Sequence, residues 1–461
     1  MKYRLLISLF YALLGVVSSR AHETALDRYV HTPDPAYEYH LVNTYTQDGA
    51  KVHVIEMTSQ RWLTTNEVDR VLWKHWMIVT QPPEVKSSKS LLFIGGGNNK
   101  SGAPTKADAN MVKMALASKT IVTELKMVPN QTLVFSGDIM ERDEDEIIAY
   151  TWAHFLRTGD ERWPLRLPMT KSAVRAMDTV QDFLAKLPNN PITIDGFVVA
   201  GGSKRGWTTW ATAAVDKRVV GIVPIVIDML NIKPSFIHHY EAYGFWAPAV
   251  GDYVAEHLMD RYDTPGYQAL MKIEEPFEYR ERFTMPKFIL NACGDQFFLP
   301  DSSQFYFHEL PGRKSLRYVP NTDHSMRESD AYETLLAGYV SVVTATPVPT
   351  LEWRLNGNGS YVVTSSAKPK SVKVWQAHND KARDFRMENI GKAWTSTELS
   401  IGDDLRWAGT VATPQQGWTA FMVEYTFDGP VQFKTTTDVQ VVPDTLPFKG
   451  KTPRAAPNSK F

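Results

Sequence analysis

Between Ile194 and Trp207 the chain reads Ile-Asp-Gly-Phe-Val-Val-Ala-Gly-Gly-Ser-Lys-Arg-Gly-Trp. An apolar run of strand type, Phe197 to Ala200, ends in two glycines and a serine, and a helix-compatible run from Trp207 to Val215 follows at once. A chain that turns from strand to helix in so few residues brings the two backbones almost into contact, which only small residues permit. A serine at the apex of such a turn is a nucleophile elbow, whose strained backbone lifts the hydroxyl off the end of a sheet. The usual form is G-x-S-x-G; here the second glycine stands one place further on, in Gly201-Gly202-Ser203-Lys204-Arg205-Gly206. The plain alternative is an ordinary strand-to-helix connection whose serine caps the helix.

The neighbouring sequence decides between these readings. Upstream, Ser90-Leu91-Leu92-Phe93-Ile94 is a short apolar strand running into Gly95-Gly96-Gly97-Asn98-Asn99, where glycines let backbone N–H groups turn toward a developing oxyanion. Lys106 to Ala117 reads as a helix, Thr120 to Leu125 as a strand, and Ser172 to Leu187 as an amphipathic helix with apolar residues at three- and four-residue steps. After the elbow helix, Arg218 to Asp228 is another nearly continuous apolar strand. Strands alternating with helices at this spacing give a mainly parallel, doubly wound sheet, an α/β fold. The more alternating stretches between Leu26 and Gln81 suggest antiparallel strands ahead of it.

Three residues then fall in a telling order. Ser203 follows one strand, Asp295 follows the strand Phe288 to Leu290, and His324 follows the strand Leu316 to Val319. Ser…Asp…His is the order of an α/β hydrolase triad. The chemistry needs a hydroxyl that must lose its proton to attack, an imidazole to take and return that proton, and a carboxylate to hold the imidazole in one tautomer. Taken singly, each has a bland reading: a cap, a turn residue, a loop histidine. Asp228, also at a strand end, is a rival for the acid. The oxyanion donors expected are the backbone N–H of Lys204 and one from Gly97 or Asn98. Residues from about 230 to 283 interrupt the alternation with an aromatic, helix-prone insertion that reads as a cap, and Tyr243 and Trp246 within it, with Trp207, are the candidate substrate-binding aromatics.

Other features point away from alternative chemistry. The adjacent His238 and His239 diverge by about 100° on a helix, so they read as one packed and one exposed residue and not as metal ligands. The acidic run Glu141 to Glu146 reads as a solvated loop or helix start, and no metal or other cofactor is expected. A formal net charge of -1 leaves no global field for nucleic acid. Lone Cys293, at the end of an apolar run, reads as buried packing.

Met1 to Arg4 is a short basic region, Leu5 to Val17 is apolar, and Ser19-Arg20-Ala21 is a small-x-small site. Residues 1–21 are thus expected to be a cleavable secretory signal cut after Ala21, making the protein periplasmic or secreted, with no segment long enough to span a membrane. Residues 22–346 form the hydrolase unit. Past the linker Thr344 to Pro349 the texture changes to short strand-type segments, and residues 350–448 are expected to be an all-β sandwich of immunoglobulin or fibronectin type, followed by a disordered tail at 449–461.

The strings Ala25-Leu26-Asp27-Arg28-Tyr29-Val30, Leu41-Val42, Thr58-Ser59-Gln60-Arg61-Trp62, the triple glycine with its two asparagines, the elbow string and Gly294-Asp295-Gln296-Phe297-Phe298 together resemble the PhoPQ-activated pathogenicity-related proteins over nearly the whole chain. The resemblance implies an exported α/β-hydrolase-like protein linked to envelope stress and antimicrobial-peptide resistance. The displaced glycine also resembles glucuronoyl esterases, where a basic residue follows the serine as Lys204 does here. The function expected is a serine hydrolase working through an acyl-enzyme on a small ester or peptide-like envelope substrate. A serine peptidase, or a silent binding protein on the same fold, are the alternatives.

Overall fold

In the computed structural model the described residues are 23–451. The expected leader, its cleavage site and most of the expected tail lie outside them. Where the tail was expected to begin, Gly450 donates its N–H to Glu241 Oε1 at 2.9 Å.

The described residues begin with α1 (Ala25–His31), three strands β1 (Glu38–Gln47), β2 (Ala50–Arg61) and β3 (Leu72–Gln81), and β4 (Lys89–Ile94). Next come α2 (Ala109–Ser118), β5 (Val122–Leu125), α3 (Glu144–Thr158), α4 (Arg166–Ala185), β6 (Gly196–Gly202), α5 (Lys204–Val215) and β7 (Val219–Ile225). The cap follows as α6 (Ile232–Tyr243), α7 (Gly251–Ala255) and α8 (Pro265–Glu274), with single 3-10 turns between. The sheet resumes with β8 (Lys287–Ala292) and β9 (Lys314–Val319), and α9 (Ala331–Val343) ends the first unit.

These strands form one nine-stranded sheet in the order β1-β2-β3-β5-β4-β6-β7-β8-β9. The β1 to β3 ladders and the β3 to β5 pairing are antiparallel, and every pairing from β5 to β9 is parallel. An antiparallel entrance and a parallel body whose course reverses once at β4 is the α/β-hydrolase sheet. A parallel sheet is covered on both faces, so its central strands must be apolar throughout. β6 is buried from Gly196 to Gly201, with Phe197 and Val199 facing the layer of α4 and α5 and Val198 and Ala200 facing α2 and α9. Ligands bind beyond the carboxyl ends of strands where the order reverses, here the ends of β4 and β6.

The remaining strands are β10 (Leu351–Leu355), β11 (Ser360–Ser365), β12 (Ser371–Asn379), β13 (Thr395–Leu399), β14 (Arg406–Thr410), β15 (Trp418–Phe427), β16 (Phe433–Thr436) and β17 (Gln440–Val442), with the single-turn helix α10 (Met387–Ile390) between β12 and β13. β10-β11-β14 form one antiparallel sheet and β13-β12-β15-β16 another, with β17 on β15. Tyr361 against Phe421 and Trp407 against Tyr425 join the two faces into a sandwich. The sandwich is fastened to the edge of the large sheet. Thr435 Oγ1 donates to Leu316 O at 2.8 Å, Tyr318 N donates to Thr436 Oγ1 at 3.0 Å, and buried Arg317 bonds both Glu424 and Asp330. Cys293 is buried, with Sγ 3.9 Å from Met422 Sδ, and burial pushes its thiol up.

The histidine pair departs from expectation, because both rings are buried. His238 Nε2 lies 3.0 Å from Asp301 Oδ2, which also takes Arg383 Nη2 at 2.6 Å from the second unit, while His239 Nε2 accepts the Ala247 N–H at 3.1 Å. Helix geometry separates the two rings, but the cap packs against the sheet on one side and the sandwich on the other, so neither direction is solvent.

Candidate active site

Ser203 stands between β6 and α5 with φ 57° and ψ -129°, a left-handed conformation that L side chains rarely adopt. Its own N–H is spent on Ile225 O at 2.8 Å, and its carbonyl accepts the Trp207 N–H at 3.0 Å, so the turn is held at both ends. The shifted glycine is explained by packing. A Cβ on Gly201 would meet Arg205 O at 2.7 Å, and one on Gly206 would meet Gly201 O at 2.9 Å. Strand and helix touch through these two positions, the second one residue further along than G-x-S-x-G provides.

Beneath the elbow lies Arg166, fully buried. Its Nη1 donates to Lys204 O at 2.7 Å and Thr208 Oγ1 at 2.9 Å, its Nε lies 3.3 Å from Glu274 Oε2, and its guanidinium covers the Trp207 ring at 4.4 Å. Trp207 in turn donates Nε1 to Glu274 O at 2.6 Å.

Asp295 and His324 meet across two loops. His324 Nδ1 lies 2.8 Å from Asp295 Oδ2, while Asp295 Oδ1 accepts the backbone N–H groups of Phe297 at 2.8 Å and Phe298 at 3.4 Å. The loops are sewn together by Gly294 N to Thr322 O at 3.1 Å and His324 N to Gln296 Oε1 at 3.0 Å. The sandwich unit adds Met387 N to Gly294 O at 3.0 Å and a two-way bond between Asn321 and the Trp394 backbone. Nothing local in the sequence marks Gln296, Asn321 or Trp394 for this part. Only their partners' proximity in space marks them.

Ser203 and His324 line one cavity of about 490 Å³ at the carboxyl ends of β4 and β6, together with Gly95, Gly96 and Arg205. Ser203 also borders a crevice of about 20 Å³ on its other side, walled by Trp207, Met229, Phe236, Tyr253, Phe297 and Phe298. A further hollow of about 330 Å³ lies at the opposite, amino end of the strands beside the linker and touches none of the candidate residues.

Two expectations move. In the glycine loop it is Gly95 and Gly96 that border the cavity; Gly97 and Asn98 do not, because the loop turns away to pair Asn98 with Gln131. Gly95 N–H is bonded to Leu125 O at 2.7 Å, and Gly96 lines the cavity beside it. A Cβ there would strike the Arg205 guanidinium at 2.6 Å. The first N–H of α5, that of Lys204, has no intrahelical partner. The aromatics also move: Trp207 borders the crevice, but Tyr243 and Trp246 border neither space. Tyr243 is packed under Arg386 of the sandwich unit and beside Phe245, and Trp246 leans on Phe236, His239 and Tyr240, because the sandwich covers that face of the cap.

Asp228 is not joined to His324. Both of its oxygens accept tyrosine hydroxyls, Oδ1 from Tyr306 at 2.7 Å and Oδ2 from Tyr318, and burial raises its pKa to about 8. The acidic run, by contrast, is part of the site's frame. It starts α3, and its Glu144 lies 2.7 Å from Lys204 Nζ and 2.6 Å from Arg205 Nη2, while Asp145 lies 3.0 Å from Lys204 Nζ. Burial opposes ionisation of Glu144, but the Lys204 and Arg205 charges outweigh it and hold its carboxyl down at about 2. Arg205 Nε also donates to Val128 O at 2.6 Å, tying the elbow to the loop that pairs with Gly95 and Gly96.

Residues 26–386 match the family model described as PhoPQ-activated pathogenicity-related protein. The chain belongs to this family. It is 35% identical over 476 aligned residues to autocrine proliferation repressor protein A of Dictyostelium discoideum, covering 96% of this chain and 95% of that one. Solved structures with a similar fold include acetyl xylan esterase 1 from Thermoanaerobacterium sp. JW/SL YS485 (13% identity, TM-score 0.46, 69% of this chain and 92% of that) and an acetyl xylan esterase from Paenibacillus sp. R4 (14%, 0.48, 69% and 92%). The acylaminoacyl peptidase of Pyrococcus horikoshii is another (12%, 0.40, 68% and 43%). Among the described residues no helix is long and apolar enough to cross a membrane, and no group of three or more His, Cys, Asp or Glu could hold a metal ion.

Proposed function

We propose that this protein is an exported serine hydrolase that cleaves small esters through an acyl-enzyme on Ser203. The observation that carries this reading is the 2.8 Å contact of His324 Nδ1 with Asp295, on loops that open into the same cavity as a strained elbow serine. A strained conformation persists only where its surroundings enforce it, and such strain gathers at working sites.

Asp295 accepts the Nδ1 proton and so leaves Nε2 of His324 as the base that takes the Ser203 proton. The freed alkoxide attacks the ester carbonyl, whose developing oxyanion is met by the N–H groups of Lys204 and Gly96. Each such donor is worth about 3–4 kcal/mol in the transition state. His324 returns the proton to the leaving alcohol, and water repeats the sequence to free the enzyme. Lys204 and Arg205 serve this by holding the elbow through their carboxylate partners.

An ester is favoured over a peptide because Asp145, the acidic group beside the crevice, is already paired with Lys204 and with the Tyr253 hydroxyl, so no free carboxylate awaits a peptide amine. The family's name, with the expected leader, suits an envelope or extracellular substrate and a part in antimicrobial-peptide resistance or virulence. The relative named as an autocrine repressor favours a second reading, a signalling protein that binds without turnover. A fluorophosphonate probe separates them. Stoichiometric modification of Ser203, lost in Ser203→Ala, is the expected result; a folded protein that resists the probe contradicts the enzyme reading.

A further inference from the structure

We propose that the crevice beside Ser203 is an acyl pocket of acetyl size, which makes the site selective for esters of very short acyl chains. This deepens the acyl-transfer reading and rests on it. Ser203 is the seam between two spaces of very different capacity, about 490 Å³ and about 20 Å³. His324 borders the large one and not the small one. Because the imidazole must hand its proton to the leaving oxygen, the leaving group occupies the His324 side. With the carbonyl oxygen turned to the N–H groups of Lys204 and Gly96, the acyl chain is left with the crevice.

The crevice has room for about one water-sized group, hence for the methyl of an acetyl ester. Its walls are pinned. Trp207 is bonded to Glu274 O at 2.6 Å and meets Trp152 edge-on at 5.7 Å, Tyr253 donates to Asp145 Oδ1 at 2.9 Å, and Phe297 and Phe298 follow directly on the Asp295 turn. Phe236 comes from the cap and Met229 from the chain just after β7, both buried. Walls fixed in this way do not yield to extra methylenes without loss of packing. The charged lining, Lys204 with Asp145, is internally compensated and sets no demand for an ionised acyl group.

The test is a chain-length series of p-nitrophenyl acetate, butyrate and octanoate on the full-length protein, with the variants Met229→Ala and Phe236→Ala. One methylene in a filled pocket is worth about 10-fold or more in kcat/KM. The wild type is expected to favour acetate over butyrate by about 100-fold and to leave octanoate nearly untouched. Met229→Ala, checked for folding by its thermal melt, is expected to raise butyrate relative to acetate at least about 10-fold, and Phe236→Ala gives an independent opening from the cap side. Comparable rates on all three esters, or acetate-to-butyrate ratios unmoved in both variants, overturn the acyl pocket while leaving Ser203 an acyl-transfer nucleophile. No turnover of any ester by a protein whose Ser203 also resists the probe overturns both readings.

Discussion

Arg166 and Glu274 form an ion pair with no solvent access on either side chain, directly under the elbow. Burial works against charge on both groups, lowering the Arg166 pKa and raising that of Glu274, so the pair survives only because each compensates the other. Replacing Glu274 by Gln keeps the shape and removes the compensation. The guanidinium is then left charged among Trp207, Thr208 and Met169, with Nη2 already lacking an acceptor among the described residues. Breaking a buried pair from one side costs about 3–5 kcal/mol. At about 2 °C per kcal/mol for a chain of this size, the melting temperature falls by about 6–10 °C. Replacing both partners by methionine removes both buried charges and is expected to recover most of that loss. The double variant nevertheless loses the Nη1 bond to Lys204 O, the residue after Ser203, so its esterase kcat is expected to stay below wild type. Calorimetric melts of Glu274→Gln and of the double-methionine variant, with ester kinetics on each, separate the two effects. A Glu274→Gln melt within about 1 °C of wild type refutes the claim that this pair is essential to the elbow's foundation.

Ser203→Gly releases the strained φ of 57° and is expected to stabilise the protein by about 1 kcal/mol in urea titration while abolishing activity; unchanged stability contradicts stored strain. Asp228 keeps its proton up to about pH 8 when folded but releases it near pH 4 when unfolded, so it makes stability fall as pH rises through that window. Asp228→Asn is expected to flatten that slope between pH 5 and 7.5, and an identical slope in both proteins refutes the assignment. Glu144 has the opposite sign: its carboxyl is depressed to about 2, so the stability it contributes is present above about pH 4 and lost as pH falls toward 2. Glu144→Gln is therefore expected to lower stability at pH 6 and to shallow the acid limb; equal stability of the two proteins at pH 6 contradicts the Lys204 and Arg205 clamp.

Much of this architecture is legible in the sequence where one element's burial decides its composition. β6 and β7 are apolar because both faces of a parallel sheet are covered, and the glycines at 201 and 206 announce a close strand-to-helix approach. What the sequence hides are pairings between distant segments. Glu141 to Glu146 carries no local sign that Lys204 and Arg205, some sixty residues away, will neutralise its helix start. Tyr243 and Trp246 look like cap aromatics over a site, and only the docking of the sandwich, through Arg386 and the Arg383–Asp301 pair, shows why they pack elsewhere. That Gly96 and not Gly97 lines the cavity depends on how Asn98 pairs with the distant Gln131. β13 and β16 escape notice for a different reason. One is an exposed edge of Thr, Ser and Glu, and the other is four residues long, so neither shows a hydrophobic period.

Hydrolysis by this site requires a covalent acyl-enzyme on Ser203. Rapid mixing with p-nitrophenyl acetate, followed by acid quench and peptide mass analysis, tests it directly. A burst of p-nitrophenolate approaching one per chain is expected, with one acetyl group on the peptide that contains Ser203, both absent in Ser203→Ala. A folded wild-type protein that gives no burst and no acetylated Ser203 peptide contradicts it.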